Sequence, residues 1–290
     1  MAGYKGSRIN PRNFNKDQLP IYIILLPLAI FMLFPLVFIF CHAFKPMSEL
    51  FKFPPSFFVE RPVMDNFENL LKSARNSSIP IGRYIFNSFL VTIAVILANI
   101  IISTMAGFAL SKMKFKLRGP LFAINQAALM FVATAVQIPR YLIISNIHIT
   151  DTYFAHILPL IAAPTTLFLI KQFIDDVPDS LIEAAVVDGA NSFRIYSQII
   201  IPLIKPAIAT GVILSFQQVW GYMESSNLYT DSESMKTLVF YMNTLANANN
   251  GVQGQGVAAA ASLILFIPNL VIFLFLQKDV MNTMAHSGIK

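Results

Sequence analysis

Residues 177–202 read VPDSLIEAAVVDGANSFRIYSQIIIP and lie between two long apolar runs of the chain. The pattern predicts a short helix in the first half of this segment. Ser180 and Glu183 have the spacing of a capping box, and Pro178 ahead of them marks a boundary. We expect this helix to run to about Asp188, because a glycine follows there.

A turn and a second helix should complete the segment. Gly189 is the residue type for which a positive φ angle costs least, so it is expected to end the first helix and turn the chain. Asn191 or Ser192 can cap the second helix, and Pro202 is expected to end it before the next apolar run. The second helix is partly amphipathic, with its apolar residues at Phe193, Ile195, Ile199 and Ile200.

Two small residues suggest how another protein could use the first helix. Ala184 and Ala185 carry almost no side-chain bulk, so a groove on a partner could approach the backbone closely. The pattern leaves a second interpretation open, in which Ser180 and Glu183 cap a helix that lies on the protein's own surface.

Apolar windows on both sides of this segment are long enough to cross a bilayer, which takes about 20 predominantly apolar residues. There are six, none with an Asp, Glu, Lys or Arg: Ile21–Cys41, Ile85–Ser111, Gly119–Pro139, Tyr153–Ile170, Pro206–Met223 and Gln255–Gln277. Of the 290 residues 56% are hydrophobic and only 12% are charged, too few charges to cover a soluble domain. The sequence predicts an all-α polytopic membrane bundle of six transmembrane helices.

The distribution of Lys and Arg predicts the orientation of these helices. With six spans, thirteen basic residues fall on the side of the two termini and eight on the other side. The cluster from Lys112 to Arg118 is the strongest single marker. We therefore expect both termini to be cytoplasmic, with the chain in the cytoplasmic membrane and in contact with lipid. The expected parts are an N-terminal segment (1–20), the six-span domain (21–277) with a cytoplasmic loop (171–205), and a tail (278–290).

Composition also argues against several other classes of protein. The net charge is +6, but the basic residues do not form one patch, so we expect no nucleic-acid partner. The single cysteine, Cys41, excludes a disulfide within the chain and a thiolate metal cluster. Asp175, Asp176 and Asp179 are close together but have no histidine near them, so no metal site is expected.

The energy source must lie outside the chain if a solute is moved against a gradient. The six windows hold no ionisable residue except His156, whereas ion-coupled carriers keep such residues within their spans. No G-x-x-x-x-G-K-[ST] phosphate loop occurs, so we expect no cofactor and no ATP on this chain. A carrier or channel that works alone remains the alternative. That alternative predicts charged residues within the spans or a sequence repeat between the two halves of the chain.

Uncharged polar residues within the windows are candidates for a solute path. Amides both donate and accept hydrogen bonds, as polar uncharged ligands require, and aromatic rings can stack on flat ligand faces. The candidates are Asn125, Gln217, Gln218, Trp220 and Tyr222. The alternative is that such residues join helices to one another.

The segment resembles a known family at this point. Glu183-Ala184-Ala185, three residues, Gly189, nine residues, Ile199, one residue and Ile201-Pro202 match the E-A-A-x3-G-x9-I-x-L-P motif in permeases of ATP-binding-cassette importers. The one departure is Ile201 in place of leucine. Further fragments resemble carbohydrate importers of the maltose-transporter type, namely 87–90, 107–112, 137–139 and 284–290.

The resemblance implies an architecture, a set of partners and a mechanism. The fold would be the six-helix type I importer permease. Residues 178–202 would form a coupling loop on a separate ATPase, with ATP and Mg held by two such subunits. A second permease and an extracytoplasmic solute-binding protein would complete an importer of a carbohydrate, an oligosaccharide by resemblance, that works by alternating access. The implied ATPase contacts are Glu183, Ala184, Ala185, Asp188, Gly189, Ile199 and Pro202, with His286, Ser287 and Gly288 in the tail.

Overall fold

A computed structural model describes residues 19–75, 78–248 and 252–287, and the regular elements among them are all helical. The α-helices are α1 (Leu19–Ala43), α2 (Met47–Leu50), α3 (Asp65–Arg75), α4 (Ile81–Lys112), α5 (Arg118–Ala128), α6 (Gln137–Asn146), α7 (Tyr153–Ile161), α8 (Pro164–Asp175), α9 (Asp179–Val187), α10 (Ser192–Ile195), α11 (Ile201–Leu203), α12 (Lys205–Trp220), α13 (Glu224–Leu228), α14 (Leu238–Ala248) and α15 (Val252–Ser287). Ala133–Val136 and Glu233–Met235 are 3₁₀-helices, and Tyr196–Ile200 is a π-helix. The all-α prediction is confirmed.

Within the described ranges, three helices are long and apolar enough to cross a membrane, and the number rises to six if each of three bent helix pairs is one span. The long helices are Leu19–Ala43, Ile81–Lys112 and Gly254–Lys278. The bent pairs are Arg118–Ala128 with Ala133–Asn146 (107°), Tyr153–Ile161 with Pro164–Asp175 (42°), and Ser192–Leu203 with Lys205–Leu228 (79°). The six predicted windows are compatible with the higher number.

The third window does not form the single helix that the sequence predicts over Gly119–Pro139. Instead α5 ends at Ala128, and the chain bends by 107° before the second half of the pair. Pro139 lies in the first turn of α6, where its missing N–H removes no hydrogen bond of the helix. Apolar composition indicates how well a segment suits lipid but not the direction of its helix axis. The bend therefore could not be predicted from the apolar window.

Small residues bring three helices together in the compact unit formed by Ala74–Thr244 and Ile264–Lys290. In this unit α4 packs against α7, α8 and α12. A Cβ atom on Gly107 would lie 3.2 Å from both Ile170 Cγ2 and Ile174 Cδ1. A Cβ atom on Gly211 would lie 2.9 Å from Thr166 Cγ2. Close approach at glycines is how membrane helices gain van der Waals contact.

The other compact unit consists of Met1–Ser73 and Leu245–Leu263. The side chains of α1 are mostly exposed, as expected for a helix that contacts lipid. After it the chain is held by buried polar groups. Asn66 Nδ2 donates to the carbonyls of Ala43 (3.0 Å) and Lys45 (2.8 Å). The Glu49 carboxylate accepts from the backbone N–H groups of residues 60 and 61, which ties this part of the backbone to α2.

Candidate functional site

The helix α9 begins at the residue that follows Pro178, and its start differs from the predicted capping box. Asp179 is its first residue, and no side chain caps it. Ser180 therefore lies inside the helix and not at the N-cap position, which Pro178 occupies. The predicted capping box is wrong, although the helix itself forms where the sequence placed it.

The turn after α9 has the predicted geometry. Gly189 has a φ angle of +76°. The N–H of Ala190 donates to the carbonyl of Ala185 (2.9 Å), and the N–H of Gly189 donates to that of Val186 (3.0 Å). These two bonds form a Schellman motif. Asn191 Oδ1 then accepts from the N–H of Arg194 at 2.8 Å and caps α10, as predicted.

One face of this segment packs on the body of the protein. Ala185, Ile195 and Ile200 are buried in a cluster that also contains residues of α4, α8 and α12, among them Phe108 and Ile174. Ala185 therefore packs against the chain's own core. This differs from the expectation that both alanines leave room for a partner.

The opposite face is exposed and apolar at the turn. Val187 is 87% exposed and Phe193 is 71% exposed, and Val186 also faces outward. Two exposed carboxylates, Glu183 and Asp188, lie in the same stretch of chain. We call Glu183, Ala184, Val186–Gly189 and Phe193 the loop surface; its residues are exposed while the backbone beneath them is anchored.

Lys112 at the end of α4 fixes the start of α9. Its side chain is only 8% exposed, and Nζ donates to the carbonyl of Val177 (2.6 Å) and to Asp179 Oδ1 (2.7 Å). The hydrogen bond and positive charge of Lys112 lower the pKa of the exposed Asp179 carboxyl. The sequence analysis used Lys112 only as a marker of orientation. Its position directly after an apolar helix was the one signal that could have indicated this contact with α9.

A π-helix follows α10 and explains why the apolar spacing is irregular. In an α-helix, Ile195 and Ile200 would point in directions about 140° apart. The wider turn of a π-helix, with its i→i+5 hydrogen bonds, brings positions five apart close to one face, and both side chains are buried. Tyr196 Oη lies 2.8 Å from Thr104 Oγ1 of α4. Ile199 is half-buried and Pro202 is exposed.

The predicted contact residues of the C-terminal tail lie at the end of the described chain and beyond it. His286 and Ser287 lie in the last turn of α15, which ends at Ser287. Gly288 lies outside the described residues. A contact between this tail and another subunit stays a prediction.

A second candidate region is a cavity of about 450 Å³. Its wall is mostly apolar and contains residues of the α5–α6 break and of the α7–α8 bend, with Pro159, Ala162 and Pro164 at the bend. Polar groups come from Arg140, Thr165, Gln218 and Tyr222. The cavity therefore forms where two bent pairs expose irregular backbone.

A charged network lies at this cavity. Arg140 Nη1 donates to Tyr222 Oη (2.9 Å) and to Glu224 Oε1 (3.3 Å). Tyr229 Oη donates to the same carboxylate oxygen at 2.5 Å. Arg140 and Glu224 stand just outside the charge-free windows, so nothing in the apolar pattern indicated this ion pair at the cavity.

The structure brings two of the five predicted path residues to the cavity, Gln218 and Tyr222. Gln217 is exposed elsewhere on α12. Trp220 is 4% exposed, and its Nε1 donates to the carbonyl of Leu265 at 3.0 Å. Asn125 Nδ2 donates to the carbonyl of Pro164 at 3.2 Å. These last two contacts join helices.

His156, the one ionisable residue in the predicted windows, is fully buried. Its Nδ1 lies 2.8 Å from Ser225 Oγ, and its Nε2 lies 3.1 Å from Thr230 Oγ1. Both ring nitrogens therefore have partners, and the histidine holds α7 to α13 and the residues after it.

Comparison with known proteins gives consistent results for sequence and fold. Residues 18–278 match the family described as binding-protein-dependent transport system inner membrane component. The sn-glycerol-3-phosphate transport system permease protein UgpE of Yersinia enterocolitica is 28% identical over 258 residues, which cover 89% of this chain and 92% of the relative. UgpE of Escherichia coli O1:K1 is 29% identical over 278 residues, with coverages of 94% and 98%.

Two solved structures share the fold. A bacterial ABC transporter involved in import of the acidic polysaccharide alginate aligns with a TM-score of 0.74 at 21% identity, over 92% of this chain and 98% of the other. A bacterial alginate ABC transporter in complex with a pentasaccharide-bound periplasmic protein aligns with a TM-score of 0.57 at 17% identity, over 90% and 93% of the two chains.

Proposed function

This chain belongs to the family of binding-protein-dependent transport system inner membrane components, whose family model matches residues 18–278, and we propose that it imports a carbohydrate. It is a multi-pass membrane protein that transports and is not itself an enzyme. In the proposed importer it pairs with a second permease and receives its solute from an extracytoplasmic binding protein. Two ATPase subunits, with ATP and Mg, act from the cytoplasmic side, where both termini lie.

The observation that carries the coupling role is the contrast between the two faces of residues 178–202. The inner face is packed on α4, α8 and α12, while the loop surface exposes Val187 and Phe193. Exposed apolar side chains beside Glu183 and Asp188 are typical of a surface that another protein covers. In this family the corresponding segment binds in a groove on the ATPase, and we assign the same partner to the loop surface.

The anchoring supports transmission of movement from the ATPase to the spans. Lys112 ties α9 to the end of α4, and Tyr196 ties the π-helix to Thr104 within α4. Closure of the ATPase dimer would therefore move α4 with the loop. Re-packing of the bent pairs then alternates access to the cavity, provided that the solute and ATP each favour one state.

The chemistry of the cavity supports a hydroxyl-rich solute. Its volume of about 450 Å³ lies within the usual range of ligand pockets. Gln218 both donates and accepts, and Tyr222 and Thr165 provide further hydroxyl groups at the wall.

Substitution within the loop surface tests the coupling role. Glu183→Lys reverses a charge on an exposed side chain without touching a span, so the chain should still insert while ATPase subunits no longer co-purify. The matched control is Glu68→Lys, which reverses an exposed carboxylate of α3 whose surface ion pair with Lys72 contributes little.

Uptake measurements test the solute class. Proteoliposomes that contain both permeases, the ATPases and the binding protein should accumulate radiolabelled di- or trisaccharides when ATP is enclosed with the ATPases, and Glu183→Lys should abolish this accumulation. ATPase subunits that remain bound to Glu183→Lys would contradict the coupling role. Uptake of amino acids or peptides, with no sugar carried, would contradict the carbohydrate assignment.

A further inference from the structure

The wall of the cavity carries one positive group, Arg140, and a carboxylate outside the lining, Glu224, is paired with it. Arg140 lines the cavity, and its guanidinium contacts Glu224 at 3.3 Å. Their side chains are 25% and 16% exposed, so bulk water screens them only in part. The two charges cancel at the point where Gln218 and Tyr222 face the same space.

The pair keeps directional hydrogen bonding although its net charge is zero. The described contacts of Arg140 use Nη1, whereas a guanidinium carries five N–H donors over three nitrogens. Glu224 is oriented by Arg140 and by Tyr229. The geometry therefore presents donors from Arg140 and both donors and acceptors from Gln218, without a field that attracts ions.

A charged solute would disturb this arrangement. An anion that recruited Arg140 would compete with Glu224 and leave a partly buried carboxylate without its cation, which is unfavourable. A cation that recruited Glu224 would compete with Arg140 in the same way. A neutral polyol can accept hydrogen bonds from the other N–H groups of Arg140 while the ion pair stays intact.

We propose that the Arg140–Glu224 pair is a charge-compensated specificity determinant that makes the cavity select uncharged, hydroxyl-rich solutes over acidic ones. This inference rests on the proposed function, because it narrows the carbohydrate class. It also separates this chain from the relatives named above, whose named solutes, sn-glycerol-3-phosphate and an acidic polysaccharide, are anionic.

Charged thiol reagents can read the potential in the cavity without knowledge of the sugar. The parent protein is the complete importer with Cys41→Ala, which removes the single cysteine of this chain, and Gln218→Cys, with any cysteines of the partner subunits also removed. Three methanethiosulfonates are compared: a neutral methyl reagent, an anionic sulfonatoethyl reagent and a cationic trimethylammonioethyl reagent. Each rate is divided by its rate with free 2-mercaptoethanol, and Ser78→Cys, at an exposed site, gives the control position.

In the parent, the normalised rates of the anionic and cationic reagents should agree within about threefold, because the paired charges cancel. Glu224→Gln keeps a hydrogen-bonding side chain and should raise the anionic-to-cationic ratio about fivefold or more, and Arg140→Gln should lower it to a similar extent. The neutral reagent reports any change in the thiolate fraction of the cysteine at 218, which cancels in the anionic-to-cationic ratio. Neither substitution should affect any of the three reagents in the Ser78→Cys protein.

Two results would overturn the proposal: a parent that already favours the anionic reagent about tenfold, or a ratio that neither substitution changes. These rates do not depend on transport. If sugars are not carried but the ratios behave as expected, the carbohydrate assignment fails while charge compensation stands. If sugars are carried but the ratios do not respond, the pair is not the determinant of charge selectivity.

Discussion

Lys112 has two roles, of which the sequence alone shows only the first. It opens the basic cluster that ends at Arg118, and it also places its amine on Val177 and Asp179 at the start of α9. Its 8% exposure distinguishes it from Lys116, which is exposed. A buried amine with two oxygen partners has lost the freedom of a solvated surface lysine, so it can hold α9 at a fixed distance from α4.

Replacement of this lysine should uncouple ATP hydrolysis from transport. We expect Lys112→Met to lower the amount of solute moved per ATP hydrolysed about fivefold or more, because α9 loses its tie to α4. Lys116→Met removes the same charge from the same cluster and should leave the ratio unchanged. The ratio is measured in proteoliposomes that contain the complete importer. An equal effect of both variants would mean that the charge of the cluster matters and the contact does not.

Single residues were predictable from sequence where backbone chemistry decides their conformation. The positive φ of Gly189 and the cap at Asn191 follow from residue type, and both are present. Ser180 failed as a cap because α9 begins earlier than the pattern indicated, at Asp179. The contact between Arg140 and Glu224 could not be predicted. It depends on the bend between α5 and α6, and the residues at that bend show no recognisable turn signal.

At the scale of elements, the close contact of α4, α8 and α12 depends on the absence of a side chain on Gly211. A Cβ atom there would lie 2.9 Å from Thr166 Cγ2 and 3.1 Å from Ile100 Cδ1. Thr166 is β-branched and has little rotational freedom in a helix, so the helices themselves would have to separate. The same helix contact also positions part of the cavity wall, because the lining residues Thr165 and Gln218 belong to α8 and α12.

Gly211→Ala should therefore destabilise the protein by about 1–3 kcal/mol, seen as a lower midpoint of thermal unfolding in detergent. Gly82→Ala is the matched control, since nothing lies within 4 Å of a Cβ atom at that position, and its midpoint should not fall. Adding Thr166→Ser removes the methyl group that clashes and should restore part of the loss. An unchanged midpoint in Gly211→Ala would contradict the proposed contact.

The existence of most helices was predictable because apolar runs without charge leave few alternatives. Their breaks were not. Pro164 and Pro206 each open the second helix of a bent pair, but prolines inside α1 and α15 do not end those helices. Whether a proline interrupts a helix depends on whether neighbours can satisfy the carbonyl four residues earlier, which lacks its usual N–H donor.

At the scale of the whole molecule, the distribution of charge decides how transport can be driven. His156 has a partner on each ring nitrogen, and Arg140 and Glu224 neutralise each other. Groups that are satisfied in this way are poorly suited to take up and release a driving ion. The family membership of the chain agrees, because its members work with a binding protein.

Uptake by the complete importer should therefore depend on ATP and not on an ion gradient. In vesicles loaded with ATP, orthovanadate should abolish sugar accumulation, whereas a protonophore that collapses the proton gradient should leave the initial rate unchanged. A proton-coupled carrier in parallel vesicles provides the control for the protonophore. Concentrative uptake by this chain purified without partners would contradict the expectation.

The π-helix at Tyr196–Ile200 gives this part of the chain a reserve of length. Its wide turn accommodates one residue more than an α-helix would between the two buried isoleucines at 195 and 200. Removal of one residue there would leave them four positions apart, a spacing that an ordinary α-helix also places on one face. The segment could thus shorten by one residue during evolution and keep the same hold on the body of the protein.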